Sequence, residues 1–129
     1  SPVFVPNTDL SDSQVINHQD MNYRRLFWTV NLVYSTSSSQ LKEICKEIQE
    51  YLNTSDDFTV NPGQENFVKV SELGSSSIDL TILCYLKVVS YTEFSQIKQD
   101  LIFKIMESVK ANGSDFAFPS RSIYIENQS

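Results

Sequence analysis

Residues 67 to 86 constrain the fold more than any other part of the chain. Phe67, Val68 and Val70 open a strand-like run and Gly74-Ser75-Ser76 breaks it. Ile78, Leu80, Ile82, Cys84 and Leu86 then alternate with Asp79, Thr81, Leu83 and Tyr85. A period of two buries one face of a strand and leaves the other open. Two such runs about a short polar breaker read as a β-hairpin, with Gly74 expected to supply the positive φ of a tight reversal. The hairpin lies between two amphipathic stretches, so the chain is predicted to run βαββαβ.

The flanking elements follow the same logic. Leu26, Trp28, Val30, Leu32 and Tyr34 share one face of a strand predicted over residues 26–34. Ser37 and Gln40 have capping-box spacing ahead of a helix whose apolar stripe is Leu41, Ile44, Cys45, Ile48, Tyr51 and Leu52. Glu43, Lys46 and Glu50 fall at spacings that allow ion pairs on its solvent side. A second helix, capped by Ser90 or Thr92, carries Phe94, Ile97, Leu101, Ile105 and Val109 and stops at Asn112-Gly113. Strand-like pieces at 115–118 and 122–126 flank Pro119. The expected sheet has four mainly antiparallel strands, 26–34, 67–73, 77–86 and 115–118, with both helices on one face. Its expected core is Trp28, Val30, Leu32, Ile44, Ile48, Ile78, Leu80, Ile82, Leu101 and Ile105.

Residues 8–22 read as a polar connector with at most a brief strand at 15–17, and residues 53–66 as a long polar loop. At 129 residues there is room for one core. No run approaches the roughly 20 apolar residues that cross a bilayer, and Ser1-Pro2-Val3-Phe4-Val5-Pro6 is no signal peptide. Starting without Met and inside a strand-like run, the sequence reads as an excised piece whose membrane part, if any, lies upstream. A formal net charge of −6 with scattered basic residues argues against a nucleic-acid partner. Cys45 and Cys84 sit on apolar faces without CxxC spacing and read as core thiols of a reducing compartment.

Reactive chemistry has little to work with. His18 is the one histidine and has no second ligand at metal spacing. Asp56-Asp57 and Glu65 lack the ladder of a calcium loop. Three glycines form no phosphate cradle, and no serine sits in a G-x-S-x-G elbow. The reading is a non-enzyme with no cofactor and no metal. An acylphosphatase-like hydrolase on this topology would need an arginine in the loop after the first full strand, where Tyr34-Ser35-Thr36-Ser37 has none.

Four collinear segments resemble the cytoplasmic part of small-conductance mechanosensitive (MscS-type) channels. Val5-Pro6-Asn7 resembles the motif that closes that family's membrane-proximal β-domain. Asn17 stands at the spacing of the connector asparagine, and Arg24-Arg25 matches a paired arginine before the next strand. Glu72-Leu73-Gly74-x-Ser76 resembles the family's hairpin. The stretch Gly113-Ser114-Asp115-Phe116-Ala117-Phe118-Pro119 resembles its G-I-x-F-P-x-P ending, with Ala117 in place of the first proline and Ser114 in place of isoleucine.

The resemblance implies an α+β, ferredoxin-like two-layer sandwich at 23–119. It is preceded at 1–22 by the end of a β-domain and a connector, and followed at 120–129 by a strand of an oligomeric barrel. Ile123 and Ile125 would face the interior of that barrel. The implied role is the wall of a cytoplasmic vestibule in a homo-heptameric channel of the inner membrane. It would shape the access of permeating ions while tension gating occurs in absent upstream helices, the chain's only membrane link. The alternative is a stand-alone ferredoxin-like regulatory module binding a small effector at a subunit interface.

Overall fold

The computed structural model describes residues 9–16, 22–59, 65–87 and 90–118, with side chains from Tyr23 onward. The elements are β1 (Asp9–Ile16), β2 (Asn22–Val33), α1 (Ser38–Thr54), β3 (Phe67–Leu73), β4 (Ser77–Lys87) and α2 (Tyr91–Ala111). They form an α+β fold with one antiparallel sheet, ordered β1-β2-β4-β3. β2 and β3 run parallel on either side of β4, so α1 is a crossover connection, and crossover handedness assigns it to one face of the sheet.

Register explains the core. Leu26 stands opposite Cys84, Trp28 opposite Ile82, Val30 opposite Leu80 and Leu32 opposite Ile78, so the even-numbered positions of both central strands share a face. Both helices pack there: Ile44, Ile48 and Leu52 of α1 and Phe94, Leu101, Ile105 and Val109 of α2 join one buried cluster with the sheet. All ten expected core residues are buried. Burying each large aliphatic side chain contributes about 1.5–3 kcal/mol before the entropy cost of ordering. Among the described residues, the Trp28 indole N–H has no hydrogen-bond partner.

The helix ends match their sequence signals. Ser37 and Gln40 form a full capping box on α1, and Ser90, rather than Thr92, forms one with Glu93 on α2. Gly113, at φ +77°, takes the left-handed position after α2, where a Cβ would lie 3.2 Å from the Gln40 amide nitrogen. Gly74 departs from expectation. Gly113 is the positive-φ glycine among the described residues, and the reversal at Gly74 is instead a close approach. Its N–H donates to the Ser77 carbonyl at 2.7 Å, and an added Cβ would meet that same oxygen at 3.2 Å. The Glu43–Lys46–Glu50 ion pairs are not formed. Lys110–Asp115 is the ion pair within 4.0 Å among the described residues.

Two corrections concern one sheet edge. The connector holds an eight-residue strand, β1, not a brief one, and it pairs with β2 from Asp9 opposite Thr29 to Ile16 opposite Asn22. The closing strand expected at 115–118 is reduced to an isolated antiparallel bridge between Leu32 and Phe116. β4 occupies the other edge of β2 from Tyr23 to Val33, so β1 and the bridge share the remaining edge end to end. The cause is chemical. Val33 N–H donates to the Asp115 carbonyl and Ala117 N–H to the Asn31 carbonyl. The next donor along that ladder would be residue 119, a proline with no N–H. At Thr29 the edge passes to β1. The expected strands at 3–5 and 122–126 lie outside the described residues.

Candidate subunit-contact surface

The far edge, β3, should present unpaired backbone groups, yet α1 reaches across to satisfy them. Gln49 accepts from Val68 N–H at 3.0 Å and donates through Nε2 to the Asn66 carbonyl at 3.1 Å. One helical turn earlier, the Cys45 thiol lies close enough to Val70 N–H for that dipole to act on it. Residues four apart on a helix and two apart on a strand advance by similar distances, so one flank of α1 can serve alternate edge amides. Burial pushes the Cys45 thiol pKa up, partly offset by the nearby Lys69 ammonium and by the Val70 N–H. Cys84, inside the core, is pushed up to about 12 by burial alone.

Between that flank and the edge runs a groove of about 560 Å³, floored by Leu41, Cys45, Val68 and Val70 and rimmed by Lys42 and Lys46. Val70 is 41% exposed within it, and Leu73 just beyond is 67% exposed. The sequence pattern missed Gln49 and Asn66. Asn66 is buried, accepts from Tyr85 N–H at 2.9 Å and donates to the Thr59 carbonyl at 3.3 Å, fastening the long loop to β4. A polar residue on the Leu41–Cys45 flank of an otherwise apolar stripe was the signal available for Gln49.

The motif residues scatter over this frame. Arg24 and Arg25 fall on opposite faces of β2, as strand alternation requires. The Arg24 guanidinium lies 4.4 Å from the Phe94 ring centroid and Arg25 lies 5.2 Å from that of Phe27, so each packs on an aromatic ring. Glu72, Leu73 and Ser76 are exposed at the hairpin tip about the partly buried Gly74. Behind the tip, Asn31 Nδ2 donates to Asp79 Oδ1 and, at 3.5 Å, to Ser77 Oγ.

Gly113 and Phe116 sit where the helix layer meets the sheet. There Glu47 accepts from Ser108 Oγ at 2.7 Å and Asn112 Nδ2 at 3.1 Å, and the Ser108 bond leads in holding its carboxyl pKa down. Asp115 is likewise lowered, first by Phe116 N–H and then by Lys110. Pro6, Asn7, Asn17, His18, Pro119, Ile123 and Ile125 lie outside the described residues.

No group of three His, Cys, Asp or Glu converges as metal ligands among the described residues. A second, polar cavity of about 550 Å³ lies at the C-terminal end of α1, with Tyr23 at its base and Asp56, Asp57 and Lys87 around it. No helix is long and apolar enough to cross a membrane, among the described residues. What the arrangement offers is contact surface. One side of the helix layer has the lysine-rimmed groove, and the outward side of α2 has Phe103 and Met106 at 50% and 45% exposure.

Comparison with known proteins places these features in a family. The profile described as "Mechanosensitive ion channel MscS, C-terminal" matches residues 27–116, from β2 to the Phe116 bridge. An MscS family protein of Aquifex aeolicus is 40% identical over 98% of this chain and 34% of its own length. The low conductance mechanosensitive channel YnaI of Escherichia coli is 29% identical over 98% of this chain and 36% of its own. The chain thus spans about a third of the length of these curated relatives. Among solved structures, Arabidopsis thaliana MSL1 has a TM-score of 0.66 at 15% identity, covering 82% of this chain and 45% of that one. The closed-state crystal structure of Helicobacter pylori MscS gives 0.57 at 18%, covering 93% and 55%. At those identities the likeness shows the fold, while the profile match over more than half the chain shows the kinship: this chain belongs to the MscS family of mechanosensitive ion channels.

Proposed function

We propose that this chain is the cytoplasmic vestibule wall of an MscS-type channel, and that it joins subunits and shapes ion access without catalysing a reaction. The observation that carries this reading is that the family match coincides with the βαββα unit and ends at the Phe116 bridge. The unit itself spends its side chains on packing and edge protection. In this reading the unit is a ferredoxin-like sandwich at 23–119, with the partial strand at Phe116 in the place of that topology's last strand. Residues 1–22 lead in from a membrane-proximal β-domain and residues 120–129 leave for a barrel shared by all subunits of a homo-heptamer.

A barrel strand suits the sequence after Pro119, because Ile123 and Ile125 alternate with Ser122, Tyr124 and Glu126, and closing a barrel removes every exposed edge at once. Acidic groups around a constricted entry would bias permeant ions by focusing the field. The test uses the full-length protein in a bacterium lacking its own mechanosensitive channels. Tension-activated current in patches and survival of osmotic downshock are expected. Deleting residues 120–129 should weaken ring assembly, by native mass spectrometry, while leaving helical content unchanged. Absence of any tension-gated current overturns the channel reading. If the deletion melts the domain, those residues belong to the core instead of a barrel.

A further inference from the structure

We propose that the lysine-rimmed groove between α1 and β3 receives the outward flank of α2 from a second copy of the chain, making a head-to-tail contact. The inference rests on the oligomeric reading above and names the surfaces that would carry it.

The groove has an apolar floor, with Val70 41% exposed, in a chain of net charge −6. Lys42 and Lys46 rim it, and Lys69 is close enough to act on the Cys45 thiol within it. None of the three has a carboxylate within ion-pair distance among the described residues. The occupant therefore needs an apolar body and an acidic charge. An added β-strand fits poorly, because Gln49 already holds the Val68 amide that such a strand would use and the Cys45 side chain lies beside Val70 N–H.

The outward flank of α2 supplies both properties. Phe103 and Met106 are 50% and 45% exposed, three residues apart, and Glu107 follows Phe103 by one turn. The neighbouring cations are engaged elsewhere: Lys110 pairs with Asp115 at 3.2 Å, and Lys104 acts on Glu47. Glu107 has no ion-pair partner among the described residues.

The placement also fits. α1 packs on β3, at one edge of the sheet. Phe94 of α2 lies against Arg24 of β2, toward the other. A groove-to-groove contact would oppose lysines, so the complementary arrangement is heterologous, and a heterologous contact closes into a ring when its rotation permits.

Cys45 makes the contact testable in the full-length protein. Met106→Cys should give disulfide-linked multimers under mild oxidation. They should vanish when Cys45→Ser is added, with Cys84 buried and silent. Lys42→Glu with Lys46→Glu should weaken assembly at least tenfold, and adding Glu107→Lys should restore it in part. Circular dichroism should show every variant folded, since all the changed side chains except Cys45 are exposed. If the ring forms in native mass spectrometry but neither the cross-link nor the charge rescue appears, these surfaces are wrong and the channel reading survives. If the unmodified protein forms no ring at all, both fall.

Discussion

The two edges of this sheet solve one problem by different means. At β3, side chains from the helix layer cover the edge: Gln49 bonds to Val68 N–H and to the Asn66 carbonyl, and Cys45 lies beside Val70 N–H. At β2, backbone does it, in two short pieces laid end to end, β1 and the bridge at Phe116. A side-chain cap closes an edge to strand addition from outside. A split backbone cap instead ties distant parts of the chain together, because Asp9 stands opposite Thr29 and Ala117 bonds to Asn31, two residues along the same strand. Within a family of channels, the first suits a surface that packs against neighbours. The second suits a junction that holds β1 and the segment around Phe116 together on one strand.

Both devices hang on the helix layer, so the largest effect comes from removing that layer. Ile48 is fully buried on α1, between the Cys45–Gln49 flank and the core. Ile48→Asp would strip a large aliphatic contact and bury a carboxylate, costing about 4 kcal/mol or more and unfolding a marginal domain. A cooperative melting transition unchanged by the substitution would show that α1 is not what holds the sheet.

Faces were legible in the sequence because periodicity encodes them, and Ile48, Leu80 and Leu101 could be assigned from spacing alone. Edges were not legible. Which strand ends a sheet depends on pairing between distant segments, and the polar run of β1 (DLSDSQVI) lacks the steady alternation of a half-buried strand. Gly74 misled for a related reason: a glycine's need for close approach and its need for positive φ look the same in one dimension. The motif residues Arg24, Glu72 and Gly113 could be picked out in the sequence, but they do not line the contact surface. The groove was not legible, because Lys42, Lys46, Val68 and Val70 are brought together only by the α1–β3 packing.

The middle-sized test sets one edge against the other. Ala117→Pro would delete the 2.8 Å bond to the buried Asn31 carbonyl and should cost about 2 kcal/mol, read as a lowered urea midpoint. Gln49→Leu keeps the packing volume but leaves Val68 N–H and the Asn66 carbonyl without their partner, costing about 1–2 kcal/mol. It should also promote aggregation, because it reopens an edge, whereas Ala117→Pro should not. Equal aggregation from both would erase the distinction drawn between the edges.

Acid should separate the edges most gently. Asp115, beside the Phe116 bridge, and Glu47, which joins α1 to the end of α2, have carboxyl pKa values held below their ordinary range by hydrogen bonds: to Asp115 first from Phe116 N–H, and to Glu47 first from Ser108. A carboxyl with a depressed folded-state pKa stabilises the fold above its unfolded value, about 4. That contribution is lost as pH falls through the lower, folded value. Both carboxyls remain in contact with solvent, so screening leaves each at most about 0.5 kcal/mol. The groups capping β3 are an amide and a thiol whose pKa is raised, and neither changes charge between pH 7 and 3. Lowering the pH from 7 to 3 should therefore speed amide exchange at Val33 and Ala117 relative to Val68 and Val70, after correction for intrinsic rates. Asp115→Asn should remove most of that difference, since it takes away the titrating acceptor beside the bridge. Equal acid sensitivity at both edges would mean the bridge does not depend on the Asp115 carboxylate.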